Sequence, residues 1–286
     1  MSELDRRLNA FRPDLADSRL RGQIDAADFT PGRAGRVIAP VVNMQNAPRP
    51  DAGLDTQLLM GDEVMVFDEA EGFAWVQAKR DFYVGYVSDA ALAAPADAAT
   101  HVVAVPRSFV YREPDMKKGA TSALSLGSRL TIVDASTVRG TDYAILESGE
   151  AVVANHVAPA GNVFPDFVSV AERLEWTPYL WGGTSAFGID CSGLVQLSMR
   201  MAGRDVLRDT DMQEGSIGEP LDIGDDLAGL RRGDLVFWKG HVAIMTDERN
   251  TIHANGHTMT VSREPLADAV ARIAYLYGKP TAFRRP

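Results

Sequence analysis

Gly188-Ile189-Asp190-Cys191-Ser192-Gly193-Leu194-Val195 holds the one cysteine of this 286-residue chain. Upstream lies a glycine-rich turn, Trp181-Gly182-Gly183. Downstream, Leu194, Val195, Leu197, Met199 and Met201 form an apolar run that ends at Gly203. This pattern predicts a helix with Asp190 as N-cap and Gly203 as the residue just past its C-terminus. Cys191 then falls in the first turn, where unpaired N–H groups and the helix dipole favour a thiolate and lower its pKa. A lone cysteine is more often a small buried apolar residue. The histidines have to decide between these readings.

The composition is that of an ordinary globular protein, 45% hydrophobic and 24% charged, with room for two or three domains. A net charge of −10 argues against nucleic acid, which needs a basic stripe to neutralise phosphates. No run of about 18 apolar residues occurs, so no helical membrane span is expected. The sequence from Met1 to Leu8 lacks the apolar core of a signal peptide. With a single cysteine there is no intrachain disulfide. These features together lead us to expect a cytoplasmic protein.

Residues 1–34 read as a partly helical extension, from Leu4, Leu8 and Phe11 at helical spacing before Pro13. From Val37 the pattern changes to short β-rich runs separated by glycine turns. Two such regions, 35–95 and 96–160, are related to each other. Leu58-Leu59-Met60-Gly61-Asp62-Glu63-Val64-Met65-Val66 matches Leu124-Ser125-Leu126-Gly127-Ser128-Arg129-Leu130-Thr131-Ile132, with Gly61 aligned on Gly127. An internal duplication of this length predicts two small β-barrels. The first copy carries Asp81-Phe82-Tyr83-Val84-Gly85-Tyr86; the second has no tyrosines there.

Residues 161–286 read as an α+β domain. A helix begins near Pro165-Asp166, and the cysteine helix and a polar loop from Arg204 to Gly233 come next. The strands 234–238, 241–245 and 251–255 follow, then a last helix over 265–277 and a closing strand at Phe283. The arrangement predicts a helix packed on an antiparallel sheet. His241 opens one strand and His253 lies in the next. An antiparallel pair can set both on one face. A cysteine at a helix start, facing a histidine that a second polar group orients, is the arrangement of a thiol peptidase. A zinc site from Cys191, His241 and His253 matches no usual ligand spacing, so no metal is expected. His257 is the competing partner for His241, with the poorer spacing.

These residues resemble the NlpC family of papain-like peptidases, which cut bacterial cell-wall peptides. The resemblance rests on five blocks in order: Tyr179-Leu180-Trp181-Gly182-Gly183, Asp190-Cys191-Ser192-Gly193-Leu194-Val195, Arg232-Gly233-Asp234-Leu235-Val236-Phe237-Trp238, Gly240-His241-Val242-Ala243-Ile244 and Ile252-His253-Ala254-Asn255. It implies Cys191 as nucleophile, His241 as base and His253 as the orienting residue. Tyr179 and the Cys191 N–H are then implied at the oxyanion. The two barrels resemble bacterial SH3-like domains. Two of them ahead of such a peptidase look like the γ-D-glutamyl-L-diamino acid endopeptidases, which cleave L-Ala-γ-D-Glu peptides and generally require a free N-terminal L-Ala. The substrate would be a murein-derived peptide met in cell-wall recycling, and no cofactor is implied. Asp209 is then the first choice to bind the substrate amine and Asp211 the second. The resemblance further implies that Tyr83 walls off the same end, that Ser192 and Thr210 hydrogen-bond the D-Glu portion, and that Trp181 of the first block borders the substrate. An exported hydrolase of intact wall, or a non-catalytic wall-peptide binding protein, are the alternatives.

Overall fold

Leu235, Val236, Phe237 and Trp238 are all buried, as are Val242 to Met245 of the next strand. Runs without polar alternation belong to a sheet covered on both faces, and the computed structural model of residues 4–286 shows this arrangement. The chain divides into two compact units, one up to Asn162 and one from Val163.

The second unit is built on a six-stranded antiparallel sheet. Its order is Glu219–Pro220, Ala282–Arg285, Leu235–Trp238, His241–Met245, Asn250–Asn255 and Thr260–Pro265. Four helices accompany it: α1 (Phe167–Arg173), α2 (Cys191–Met201), α3 (Thr210–Ser216) and α4 (Leu266–Tyr277). The cysteine helix α2 packs against strands His241–Met245 and Asn250–Asn255 and against α1. Val236, Trp238, Ala243 and Met245 pack with Leu266, Ala269 and Ile273 of α4. The sheet is therefore covered by α4 as well as by the single helix expected from sequence. α2 is buried at every position but Arg200, its polar Ser192, Gln196 and Ser198 included.

The first unit contains a seven-stranded antiparallel sheet assembled from residues 33–93, then a five-stranded and a three-stranded sheet from residues 101–159. The two sets share a structural period. A register shift falls between Met44 and Gln45 and again between Val110 and Tyr111; another falls between Val66 and Asp68 and again between Ile132 and Asp134. Val110 follows Met44, and Ile132 follows Val66, at the same spacing that separates Gly127 from Gly61. A bulge is a specific local feature, so its recurrence in step marks a repeat more sharply than residue matches do.

The extension 1–34 departs from expectation, and its first three residues lie outside the described part. Among residues 4–34 there is no α-helix. Leu15–Asp17 pairs in parallel with Asp28–Thr30, and a short 3-10 turn covers Ser18–Leu20. Pro13 has no N–H to continue a helix. The apolar residues are instead drawn onto the neighbouring sheet: Ala10 packs with Phe67 and Trp75, and the Val84 N–H donates to the Arg7 carbonyl. The polar stretch 204–233 also holds more structure than a loop, since it contains α3 and the edge strand Glu219–Pro220.

Candidate active site

Asp190 organises the start of α2. Its Oδ1 accepts from the Gly193 N–H at 2.7 Å and its Oδ2 from the Gly182 N–H at 2.9 Å, so one carboxylate caps the helix and ties down the preceding turn. Gly203 follows the helix at φ +76°, the left-handed conformation that glycine adopts without strain. Two glycines allow the turn to lie against the helix. A Cβ on Gly193 would stand 2.3 Å from the Gly183 carbonyl oxygen, and one on Gly183 would stand 2.5 Å from that of Gly188.

The carboxylate of Asp190 is gripped by Arg208, whose Nη1 and Nη2 donate to Oδ1 and Oδ2 at 3.1 and 2.6 Å. Arg208 Nη1 also donates to Ser192 Oγ at 2.8 Å. The Gln213 amide holds the same segment through the Ser192 and Leu207 carbonyls. These bonds bring Arg208-Asp209-Thr210 against the cysteine helix and leave Thr210 Oγ1 4.0 Å from Cys191 Sγ. Asp209 occupies the N-cap position of α3, yet its carboxylate does not cap that helix. Asp211 is exposed in the first turn of α3.

Cys191 is buried, and the Val242 N–H, one residue beyond His241, donates to its sulfur. The thiol is pushed up to about 11, chiefly by burial and then by the charge of Asp190, against the opposing Val242 N–H, Thr210 hydroxyl and Arg208. This corrects the expectation that the helix start lowers its pKa: removal from water outweighs the favourable donors.

His241 Nε2 lies 2.8 Å from His253 Nδ1, with the ring centroids 5.0 Å apart. Burial, then the charges of His253 and Arg272, push His241 down to about 3. Cys191 and His241 therefore rest as a neutral thiol and a neutral imidazole. His253, fully buried, continues to Glu264, with Nε2 to Oε1 at 2.8 Å, and Arg272 of α4 donates to the same Oε1. Glu264 stands two positions past Ser262, the register partner of His253, so both lie on one face of the sheet. His257 lies in the turn after Asn255, its backbone N–H donating to Asn255 Oδ1, and the ring that meets His241 is that of His253. Burial and the neighbouring Cys191 and Asp190 charges raise the Tyr179 pKa well above the usual phenol range. Its hydroxyl keeps its proton and remains a hydrogen-bond donor.

Cys191, His241, His253, Tyr179, Ser192 and Thr210 are all placed in the second unit, as are Asp209, Asp211 and Trp181, the last 71% exposed. Tyr83 belongs to the first unit, where its side chain is buried while neighbouring Phe82 is exposed at φ +63°. Sequence reasoning missed Glu264, Arg272 and Arg208. The strand carrying Glu264 has no clear alternation of its own, and nothing else marks the residue. Among the described residues no cluster of histidine, cysteine and carboxylate side chains is arranged to hold a metal.

A cysteine at the start of a buried helix, beside a strand that begins with a paired histidine, defines a papain-like peptidase domain. The NlpC/P60 family matches residues 176–276, and the bacterial dipeptidyl-peptidase Sh3 domain matches residues 44–92. The chain belongs to the NlpC/P60 family. It is similar to dipeptidyl-peptidase 6 of Lysinibacillus sphaericus, at 28% identity over 84% of this chain and 98% of that protein. A γ-D-glutamyl-L-lysine dipeptidyl-peptidase of Bacillus cereus is 25% identical over 74% of this chain and 71% of its own length. The probable endopeptidase NlpC of Escherichia coli is 34% identical over 36% of this chain and 73% of its length. The crystal structure of an NlpC/P60 family protein from Bacillus cereus shares the fold, with a TM-score of 0.72 at 22% identity over 88% of this chain and 99% of that one.

Proposed function

We propose that the protein is a cysteine endopeptidase that hydrolyses the bond between γ-D-Glu and an L-diamino acid, diaminopimelate or lysine, in murein peptides with a free N-terminal L-Ala. The observation that carries this reading is the 2.8 Å contact between His241 and His253 on the strand pair that meets the cysteine helix. The name of the Bacillus cereus relative, a γ-D-glutamyl-L-lysine dipeptidyl-peptidase, supports the peptide class.

His241 Nε2 is committed to His253, which leaves Nδ1 to take the thiol proton as Cys191 Sγ attacks the γ-carbonyl carbon. The tetrahedral oxyanion is held by the Tyr179 O–H and the Cys191 N–H. His241 returns the proton to the departing amine, and a thioester to the γ-D-Glu acyl group remains. Water then loses a proton to His241, attacks the thioester and releases a carboxylic acid and the thiol.

Asp209 pairs with the substrate ammonium, with Asp211 as the second choice. A charged amine taken out of water needs such a carboxylate. Ser192 and Thr210 bond the D-Glu portion and Trp181 borders it. We read residues 96–160 as a second SH3-like domain after 35–95, supported by the bulges that recur in step with the sequence repeat. A requirement for a free L-Ala suits peptides already released from the wall, hence a cytoplasmic recycling role.

The test compares hydrolysis of L-Ala-γ-D-Glu-diaminopimelate with its N-acetylated form, in wild type and Asp209→Ala. Preference for the free amine, lost in the variant, supports the proposal. Equal wild-type rates on both peptides would sink the amine-recognition model.

A further inference from the structure

We propose that Glu264 is a positioning residue that fixes the tautomers of both active-site imidazoles, so that His241 keeps a bare Nδ1 for the thiol, with Arg272 holding Glu264 in place. The inference rests on the reading of Cys191 as nucleophile and His241 as base.

With both imidazoles neutral, the chain of contacts admits one consistent assignment of protons. An ionised carboxylate accepts hydrogen bonds and cannot donate them. Burial works against ionisation of Glu264, but the bond from His253 and the charges of His253 and Arg272 prevail, and its pKa falls. His253 must therefore carry its proton on Nε2, 2.8 Å from Glu264 Oε1. In the neutral ring, Nδ1 is then a lone pair, and it faces His241 Nε2 at 2.8 Å. That contact is a hydrogen bond only if His241 Nε2 holds the proton. The remaining His241 nitrogen, Nδ1, is left unprotonated. With the opposite tautomers, the lone pair of His253 Nε2 would face the carboxylate without a proton between them. It would also place a proton on His241 Nδ1, where a base must have none.

The placement of Glu264 is itself over-determined. Both His253 and Arg272 donate to the same oxygen, Oε1. Glu264 sits on the outermost strand, Thr260–Pro265, while Arg272 comes from α4, so strand and helix grip the carboxylate together. The two groups also act in opposite senses on His241, Glu264 raising and Arg272 lowering its basicity. Because a single oxygen accepts both bonds, a glutamine amide oxygen can replace it without reversing any proton.

The test is nitrogen-15 NMR of the full chain labelled at histidine, with His241 and His253 assigned through single His→Gln variants, alongside steady-state kinetics on the unblocked tripeptide. Wild type is expected to show protons on Nε2 and bare Nδ1 nitrogens for both rings at neutral pH. Glu264→Ala, checked for an unchanged circular dichroism spectrum, is expected to mix the tautomers and lower kcat about 10- to 100-fold with KM little changed. Glu264→Gln is expected to keep the tautomers and hold kcat within about fivefold of wild type. A proton on His241 Nδ1 in wild type would overturn the proposal. So would wild-type tautomers in Glu264→Ala, whatever its rate. The NMR readout does not depend on turnover, so wild type that fails to cleave the peptide strikes the peptidase reading alone.

Discussion

Asp190 and Arg208 form a two-pronged ion pair within the second unit, with the Arg208 side chain 1% and the Asp190 side chain 11% exposed. The same carboxylate caps α2 and anchors the turn before it. Breaking a buried pair from one side leaves an uncompensated charge, at a cost of about 3–5 kcal/mol. Arg208→Met is therefore expected to lower the free energy of unfolding in urea by an amount of this order, with Asp190→Asn/Arg208→Met recovering part of the loss. Unchanged stability in the single variant would show that the pair does not hold the helix start.

Gly193 in the Asp-Cys-Ser-Gly block is explained by contact rather than by backbone freedom. A methyl group there meets the Gly183 carbonyl oxygen, which is backbone and cannot swing aside. Gly193→Ala is expected to destabilise the protein by about 1–3 kcal/mol through overpacking and to displace Cys191. Thermal unfolding and peptide turnover measured together check this, since both should fall.

The pKa of Cys191 has a direct consequence for alkylation. With the thiol pushed up to about 11, it is protonated at neutral pH. The rate of iodoacetamide modification is expected to rise about tenfold per pH unit from 6 to 9 without levelling off. A plateau below pH 7 would instead indicate a thiolate–imidazolium pair at rest. In the proposed mechanism the same pKa makes His241 indispensable, because the thiol has to lose its proton during the attack.

Tyr179 retains its phenolic proton, and in the proposed mechanism it donates to the oxyanion. Tyr179→Phe is expected to lower kcat by about 10²–10³-fold with KM nearly unchanged, the effect of removing one oxyanion donor. Steady-state kinetics decide it: a loss confined to KM would assign the hydroxyl to substrate binding.

Much of the second unit was legible because its signals are local. Asp190 and Gly203 bracket α2 as cap and terminator, and the buried runs 235–238 and 241–245 announce strands by composition. His241 and His253 were readable as a pair because one register brings them together. The rest depends on long-range packing. Glu264 and Arg208 are charged residues in polar sequence, and only the fold turns one toward His253 and buries the other beneath Asp190. The thiol's pKa was misjudged for the same reason, since helix position is visible in sequence and burial is not. Residues 4–34 misled because helical spacing was read over a segment whose apolar residues serve the neighbouring sheet.

The most direct test of the central claim is mass spectrometry of L-Ala-γ-D-Glu-diaminopimelate incubated with wild type and with Cys191→Ala. The account predicts release of L-Ala-D-Glu and free diaminopimelate by wild type and an intact tripeptide with the variant. An intact tripeptide with active-site-competent wild type, or equal cleavage by Cys191→Ala, would contradict it.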